Sequence, residues 1–597
     1  MKIQDLMLRF PHLPEKIFQK LDCEGLFKCR NVARSWLDII DKRNYPWLRI
    51  VNIPTILKKR HSYLHRAAET GQIEAFKRVF NQEEDIDIKN EFDETPFHLA
   101  CGNGRTKIAQ LLMKTTEMKI NVNAKDNRAF TLSVNVNAKC KSGNTAFHFA
   151  CLRGHSDVVK MLMENADLLS IDLNAKNNFG ESAFSWGCSN GHIEVVKILM
   201  ENAATLGIDL NAKAKVNELI HNWTGFHRAC VRGHTEVVKM FMENAATLGI
   251  DLNAKAKVSE FIHNWTGFHR ACVRGNPYVV QMFMENATML GIDLNAKDND
   301  NWTGFHLACE RGHTNTVKIF MVNATKLKID LNAKEKRGYS ALHLACERGH
   351  LDVIKIFIKN AVTLNINLDQ KNNYGATAFH WACKGGNSDV VKIFIENAAV
   401  FRIDLNAKAK SVNHWTGFHL ACELSYKTVV KIFMENAATL GIDLNAKDNN
   451  GNTAFLCACK RGQSDVVKIL IENAAALSID MIAKNKDGIT PFHCACIKDH
   501  SGVVKIVMEN AAVLSIDLNA KDIKGLTAFH CACLMGHTEI VKIFMKNAAT
   551  FDIDLNSKDN NGKTGFHCAC QMGHTDVVNI LKENAATLNI DLNVKTK

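Results

Sequence analysis

One phrase constrains this chain more than any other. Thr-Ala-Phe-His-x-Ala-Cys starts at Thr145, Thr377 and Thr527 and, with Gly for Ala, at Thr564; Gly-His follows two residues later in these copies except the one at Thr377, which has Gly-Asn. Its fourth residue marks each copy: His65, His98, His148, Ser185, His227, His269, His306, His343, His380, His419, Leu456, His493, His530 and His567. Most markers stand 37 residues apart. A period of that size belongs to stacked supersecondary units that pack only on their neighbours, so the length of 597 residues does not count globular domains.

A late copy predicts the unit. Lys447-Asp448-Asn449-Asn450-Gly451 is a turn. Thr453 caps a short helix through Phe455, Ala458 and Cys459, and Gly462 ends it. Ser464 opens a second helix with Asp465 in its first turn. In the eighth copy that helix carries Val353, Ile354, Phe357 and Ala361 as one apolar stripe. An extended Ile-Asp-Leu-Asn run leads into the next turn. The fold class expected is all-α, a stack of helix pairs with turn or hairpin fingers, over residues 61–597.

These residues resemble the ankyrin repeat, whose unit is a turn, Gly-x-Thr-Pro-Leu-His-x-Ala-Ala, Gly-His, a Val-Val helix and Asp-Val-Asn-Ala. The resemblance covers about nine-tenths of the chain and implies a solenoid that binds proteins. Three departures stand out. The stretch after the second helix is about four residues longer than the family's. Pro survives only at Pro96 and Pro491, and the second small Ala has become Cys, which packs as a small hydrophobe.

The spacing has exceptions. Between His98 and His148 the gap is 50, and Asn-Val-Asn-Ala-Lys occurs at Asn121 and again at Asn135. Gaps of 42 precede His227 and His269, with extra turn residues at 215–220 and 257–262. Their apolar tips, Leu219, Ile220, Phe261 and Ile262, are expected to be exposed and to meet a partner.

The head lacks the phrase. Residues 1–9 read as a tail, 10–50 as a small helical domain and 51–60 as a linker. Ile17, Phe18 and Leu21 fall at helical spacing, as do Val32, Trp36, Ile39 and Ile40. Leu13-Pro14-Glu15, Ile17, Leu21, Leu26, Val32, Trp36 and Trp47 resemble an F-box in order and approximate spacing. That resemblance implies a Skp-family adaptor and a cullin scaffold as partners, docked through Leu13, Pro14, Ile17, Leu21, Val32 and Trp36. The competing reading is a plain helical cap on the open end of the stack.

Trp223, Trp265, Trp302 and Trp415 each precede a capping Thr. By the ankyrin resemblance this position faces the binding groove, as do Arg232, Arg274, Arg311 and Arg348. Trp and Arg together are the composition of an interface hot spot. The alternative is that the rings only pack on neighbouring turns.

The His-Cys-x-Cys runs at His493, His530 and His567 suggest metal ligands. Two Cys two apart on a helix point about 200° apart, however, so four converging donors do not follow. The recurring His reads as a structural brace. No phosphate loop, nucleophile elbow or zinc-protease helix is present. No enzyme activity, metal or cofactor is expected.

The net charge of +12 is spread through Asn-Ala-Lys and Val-Val-Lys with acids nearby, the pattern of a solvated face. No concentrated stripe points to nucleic acid, and no apolar run is long enough for a bilayer. The first 14 residues do not read as a secretory signal, and 20 cysteines, mostly at repeat positions, do not read as a disulfide framework. A monomer in the cytoplasm or nucleus is expected. Two functions follow: a substrate-recognition adaptor of a Skp–cullin–F-box ubiquitin ligase, or a plain ankyrin scaffold with a helical cap.

Overall fold

The computed structural model describes residues 63–592 apart from 81–85, 119, 122–130, 133, 218–219, 259–262 and 411–412. The F-box-like head, with Leu13, Pro14, Ile17, Leu21, Val32 and Trp36, lies outside the described residues. So do Leu219, Phe261 and Ile262. Packing divides the chain after Asp293. The first part carries six phrase-bearing helix pairs, from Tyr63–Thr70 to Pro277–Leu290, and the second carries eight, from Gly304–Glu310 to Thr575–Glu583. Within each part, successive pairs stack on one another.

In most copies the phrase forms the first helix of the pair because its Thr or Ser and its His close the helix start on themselves; the copies with Ser185 and Leu456 keep only the hydroxyl cap. In the third copy, Thr145 Oγ1 accepts from the His148 N–H at 3.4 Å, and Thr145 N–H donates to His148 Nδ1 at 3.2 Å. This is a capping box with His in the place usually held by Glu or Gln. A backbone N–H can only donate, so Nδ1 is unprotonated and the proton sits on Nε2. Nε2–H then donates to the Glu181 carbonyl of the next repeat at 3.0 Å. The helix Ala146–Arg153 ends at Gly154, φ 76°, where an added Cβ would come within 2.5 Å of His192 Nδ1. Glycine is required there twice over, by conformation and by contact. His192 in turn donates to the Leu152 carbonyl at 2.8 Å.

Apolar burial joins the repeats. Phe226 lies 5.2 Å from Phe241 and 5.8 Å from Phe283, which lies 5.2 Å from Phe268. In the second part Phe305 meets Phe320 and Phe357 in the same way. All of these rings are at most 1 % exposed. The phrase cysteines are buried too, with Cys151, Cys230, Cys309 and Cys496 at 0 %. Burial pushes the Cys494 thiol up to about 11 and the Cys531 thiol up to about 12.

The four residues that exceed the usual ankyrin period form one extra helical turn. It is separate at Ala166–Leu169, Ala203–Leu206 and Ala474–Leu477, and continuous with the second helix up to Leu290, Phe401 and Leu440. A left-handed residue closes it, such as Gly207 at φ 60° or Arg402 at φ 52°.

The recurrent Asn-Ala-Lys serves the stack directly. Asn137 Nδ2 donates to the Ser170 carbonyl at 2.8 Å, and its Oδ1 accepts from Asp172 N–H at 2.8 Å. Lys139 Nζ reaches the Lys176 carbonyl at 2.8 Å. The Asn bond returns from Asn211 to Gly249, and in the second part the Lys bond returns from Lys408 to Lys447. The solvated face expected for these lysines is therefore only half the account. The Lys139 and Lys408 ammonium groups are exposed and also bound to the neighbouring repeat.

Among the described residues, three antiparallel ribbons interrupt the helices, all in the first part. The spacing anomaly between His98 and His148 contains β1 (Ile120–Asn121) and β2 (Thr131–Leu132). The two prolonged turns form β3 (Ala214–Asn217) with β4 (Ile220–Trp223), and β5 (Ala256–Val258) with β6 (His263–Trp265). Trp223 pairs with Ala214 and Trp265 with Ala256, so each Trp sits at the base of its ribbon. β4 lies beside β5, which sets the two ribbons next to each other.

Candidate functional site

The ribbon bases set two half-buried indoles, Trp223 and Trp265, on adjacent repeats. Arginines fill the space between them. The phrase of these two copies reads Gly-Phe-His-Arg-Ala-Cys, which puts Arg228 and Arg270 one position after the marker His. The Arg270 guanidinium carbon lies 4.2 Å from the Trp223 ring centre and 4.9 Å from that of Trp265. Arg228 lies 5.7 Å from Trp223 and 6.0 Å from Trp186. The result is an alternating column, Trp186, Arg228, Trp223, Arg270, Trp265. A cation over an indole face gains about 0.5–2 kcal/mol, more when water is excluded.

The two arginines differ in their partners. Arg228 makes an ion pair with the buried carboxylate of Glu181. Glu181 stands four residues before its marker, Ser185; the same position in the next copy is Trp223. Arg270 therefore meets a ring where Arg228 meets an acid. It is 4 % exposed, and among the described residues neither its Nε nor its Nη2 has a hydrogen-bond acceptor. Burial pulls the Arg270 guanidinium down to about 9 and Arg228 to about 10, so both stay cationic at neutral pH.

The arginines singled out from the sequence sit elsewhere. Arg232 and Arg274 are exposed, and Arg274 Nε donates to the Val231 carbonyl at 3.1 Å. In the second part Arg311 Nε and Arg348 Nη2 hold the carboxylate of Glu310 at 3.0 and 2.8 Å. Both are 58 % exposed, so these pairs contribute little stability. The arginines that pack on Trp223 and Trp265 are Arg228 and Arg270. Their signal in the sequence is the Arg after the marker, which beyond the first copy (Arg66) occurs only in these two; other copies carry Leu, Phe, Trp or Cys there.

The other two tryptophans lie in the second part. Trp302 closes a turn with Asp298, whose carboxylate accepts from Trp302 N–H at 2.8 Å, and its ring lies 6.0 Å from that of His306. Trp415 Nε1 donates to Asp448 Oδ2 at 3.1 Å. A cavity of about 180 Å³ opens beside it, lined by Trp415, Glu423, Asp448, Cys457 and Arg461 among others. Burial would raise the Asp448 carboxyl, but hydrogen bonds from Asn452, Trp415 and Asn450 outweigh it and hold it below its ordinary value. Arg461 pairs with Glu423 in the same wall.

Among the described residues no three His, Cys, Asp or Glu side chains gather as a metal ion would need. Nor is any helix among them long and apolar enough to cross a membrane.

The family model described as ankyrin repeats, three copies, matches residues 64–172, 128–214, 268–369, 360–448, 435–522 and 512–596. The matched windows leave out 215–267, where most of both long ribbons and Arg228 lie. No curated protein matches the chain. The family windows cover most of the sequence and coincide with the stacked helix pairs, their capping boxes and their Gly-His ends, so the chain belongs to the ankyrin-repeat family.

Proposed function

We propose that this chain is a protein-interaction scaffold whose partner seats on the ribbon bases around Trp223 and Trp265. The observation that carries the reading is the column of indoles and arginines, placed where the family pattern is interrupted. Indoles offer large rigid area at small entropic cost, and Trp and Arg dominate binding energy at interfaces. Trp302, Trp415, Arg232, Arg274, Arg311 and Arg348 are proposed as outlying contacts of the same kind.

Affinity capture with the full chain and with Trp223→Ala/Trp265→Ala tests this. The reading expects partners that the double variant loses and that a Val322→Ser control, far in sequence and exposed, retains. An unchanged set of partners would overturn it.

A finer reading makes the scaffold a ubiquitin-ligase adaptor. It rests on the sequence of the head alone, where Leu13, Pro14, Ile17, Leu21, Val32 and Trp36 stand in F-box order. The test is binding of purified Skp-family adaptor to the full chain and to Leu13→Ala/Pro14→Ala. Loss of binding in a folded variant supports the adaptor. No binding by either leaves the plain scaffold with its helical cap.

A further inference from the structure

The column of Trp186, Arg228, Trp223, Arg270 and Trp265 holds more hydrogen-bond donors than acceptors. Trp186 Nε1, Arg228 Nε, Arg270 Nε and Arg270 Nη2 are all buried, and among the described residues none has an acceptor. Glu181 is the carboxylate paired within the column, and it is taken by Arg228. Buried donors without acceptors are uncommon in folded proteins, and those of a charged group are the most costly to leave so.

Neighbouring repeats show what completes such an arginine. Arg228 lies against Trp223 and Trp186 and meets Glu181 from the preceding repeat. Arg270 keeps the ring of its own repeat, Trp265, and meets Trp223 where Arg228 meets the acid, with both rings closer. The rings stabilise the charge through their faces, but a π face leaves the in-plane N–H groups of the guanidinium unused. Those N–H groups form a planar fork that matches a carboxylate.

Resting on the scaffold reading above, we propose that the ribbon bases seat an acidic segment of the partner protein, one of whose carboxylates pairs with Arg270 between Trp223 and Trp265. The acid that the chain supplies to Arg228 is supplied to Arg270 by the partner. Aspartate or glutamate side chains are the chemistry selected, and flanking apolar residues cover the indole edges.

The test selects a display library of random peptides on the full chain, on Arg270→Met, on Arg270→Lys and on the Val322→Ser control. The wild type and Val322→Ser are expected to enrich Asp- and Glu-bearing peptides. Affinity is expected to fall roughly tenfold or more in Arg270→Met, and less in Arg270→Lys, which keeps the charge without the fork. Affinity also weakens as salt rises. Should Arg270→Met fail to fold, changing each selected Asp or Glu to Asn or Gln must cause the same loss against the wild type.

Peptides that bind with no acidic enrichment, or equally well to Arg270→Met, overturn this inference and leave the scaffold reading standing. Binding seen only in Glu218→Gln/Glu260→Gln assigns the seat to the chain's own carboxylates in the prolonged turns and overturns the partner carboxylate. If no peptide binds any form, and capture is also indifferent to Trp223→Ala/Trp265→Ala, both readings fall.

Discussion

His380 Nε2 donates to the carbonyl of Trp415, the ring-bearing residue just before the next capping Thr, at 3.2 Å. The bond crosses from one repeat to the next, and its equivalents recur from His98 to Asn144, His306 to Tyr339 and His493 to Leu526. Burial lowers the His380 imidazole to about 4, and likewise His98, His148, His227, His306 and His343. The neutral form is the one that both bonds require.

Stability should therefore fall with acid earlier than carboxylate titration would cause. The folded imidazoles lie below their unfolded value of 6.5, so between pH 6.5 and about 4 the unfolded chain binds more protons. Stability is full above that window and is lost as pH falls through it, by at most about 3 kcal/mol for each such histidine. Denaturant unfolding across pH 7.5 to 4 measures the slope. A flat profile above pH 5 would contradict the assignment.

Cysteine chemistry offers an independent check on burial. Beyond residue 62, every cysteine except Cys570 is buried and Cys570 is exposed. In native protein, alkylation beyond residue 62 is expected at Cys570 alone, with the rest reacting after unfolding. Mass spectrometry of digested protein reads this directly, and early modification of Cys230 or Cys309 would count against the stacked core.

The left-handed closures of the extra helical turn differ in cost. Gly207, Gly249, Gly291 and Gly441 have φ near 60° and open space where a Cβ would stand, so conformation alone favours glycine there. Lys328 and Arg402 hold the same conformation, at φ 50° and 52°, with a Cβ. Lys328→Gly is expected to stabilise the chain by about 0.5–1 kcal/mol, observed as a higher denaturant midpoint with unchanged slope.

Phe226 touches Phe241 within its own repeat and Phe283 in the next. Phe226→Ala should cost about 3–5 kcal/mol. Because stability in such arrays is carried by nearest-neighbour terms, the loss should appear as a broadened transition with protection from hydrogen exchange falling first in repeats around 226. A sharp transition with uniform loss would show cooperativity longer than one interface.

The helix pairs are legible in the sequence because a Thr-x-x-His box, a glycine stop and a Val-Val stripe each have a local cause. The histidine brace is legible as well; its acceptor in the next repeat is not, since no residue type marks a carbonyl. The same limit hides the role of Asn137 and Lys139, which look like solvated side chains and bind main-chain atoms of the neighbour. Trp223 and Trp265 stand out by rarity. Arg228 and Arg270 are as rare at their position, but the family's groove positions draw the eye to Arg232 and Arg274 instead. The two that pack beside the rings lie in the first turn of their helices, and only the fold brings them there.

The seam between repeats has an evolutionary consequence. Asn211 takes the Gly249 carbonyl and Asn253 takes the Gly291 carbonyl, and the His and Lys bonds likewise end on main-chain oxygen. A joint made to backbone is blind to the neighbour's side chains. At these bonds a copied repeat can therefore be spliced beside its parent with no compensating change, and its ribbon, indole and arginine arrive ready to diverge. The near-identical copies around His227 and His269 are what such a joint permits.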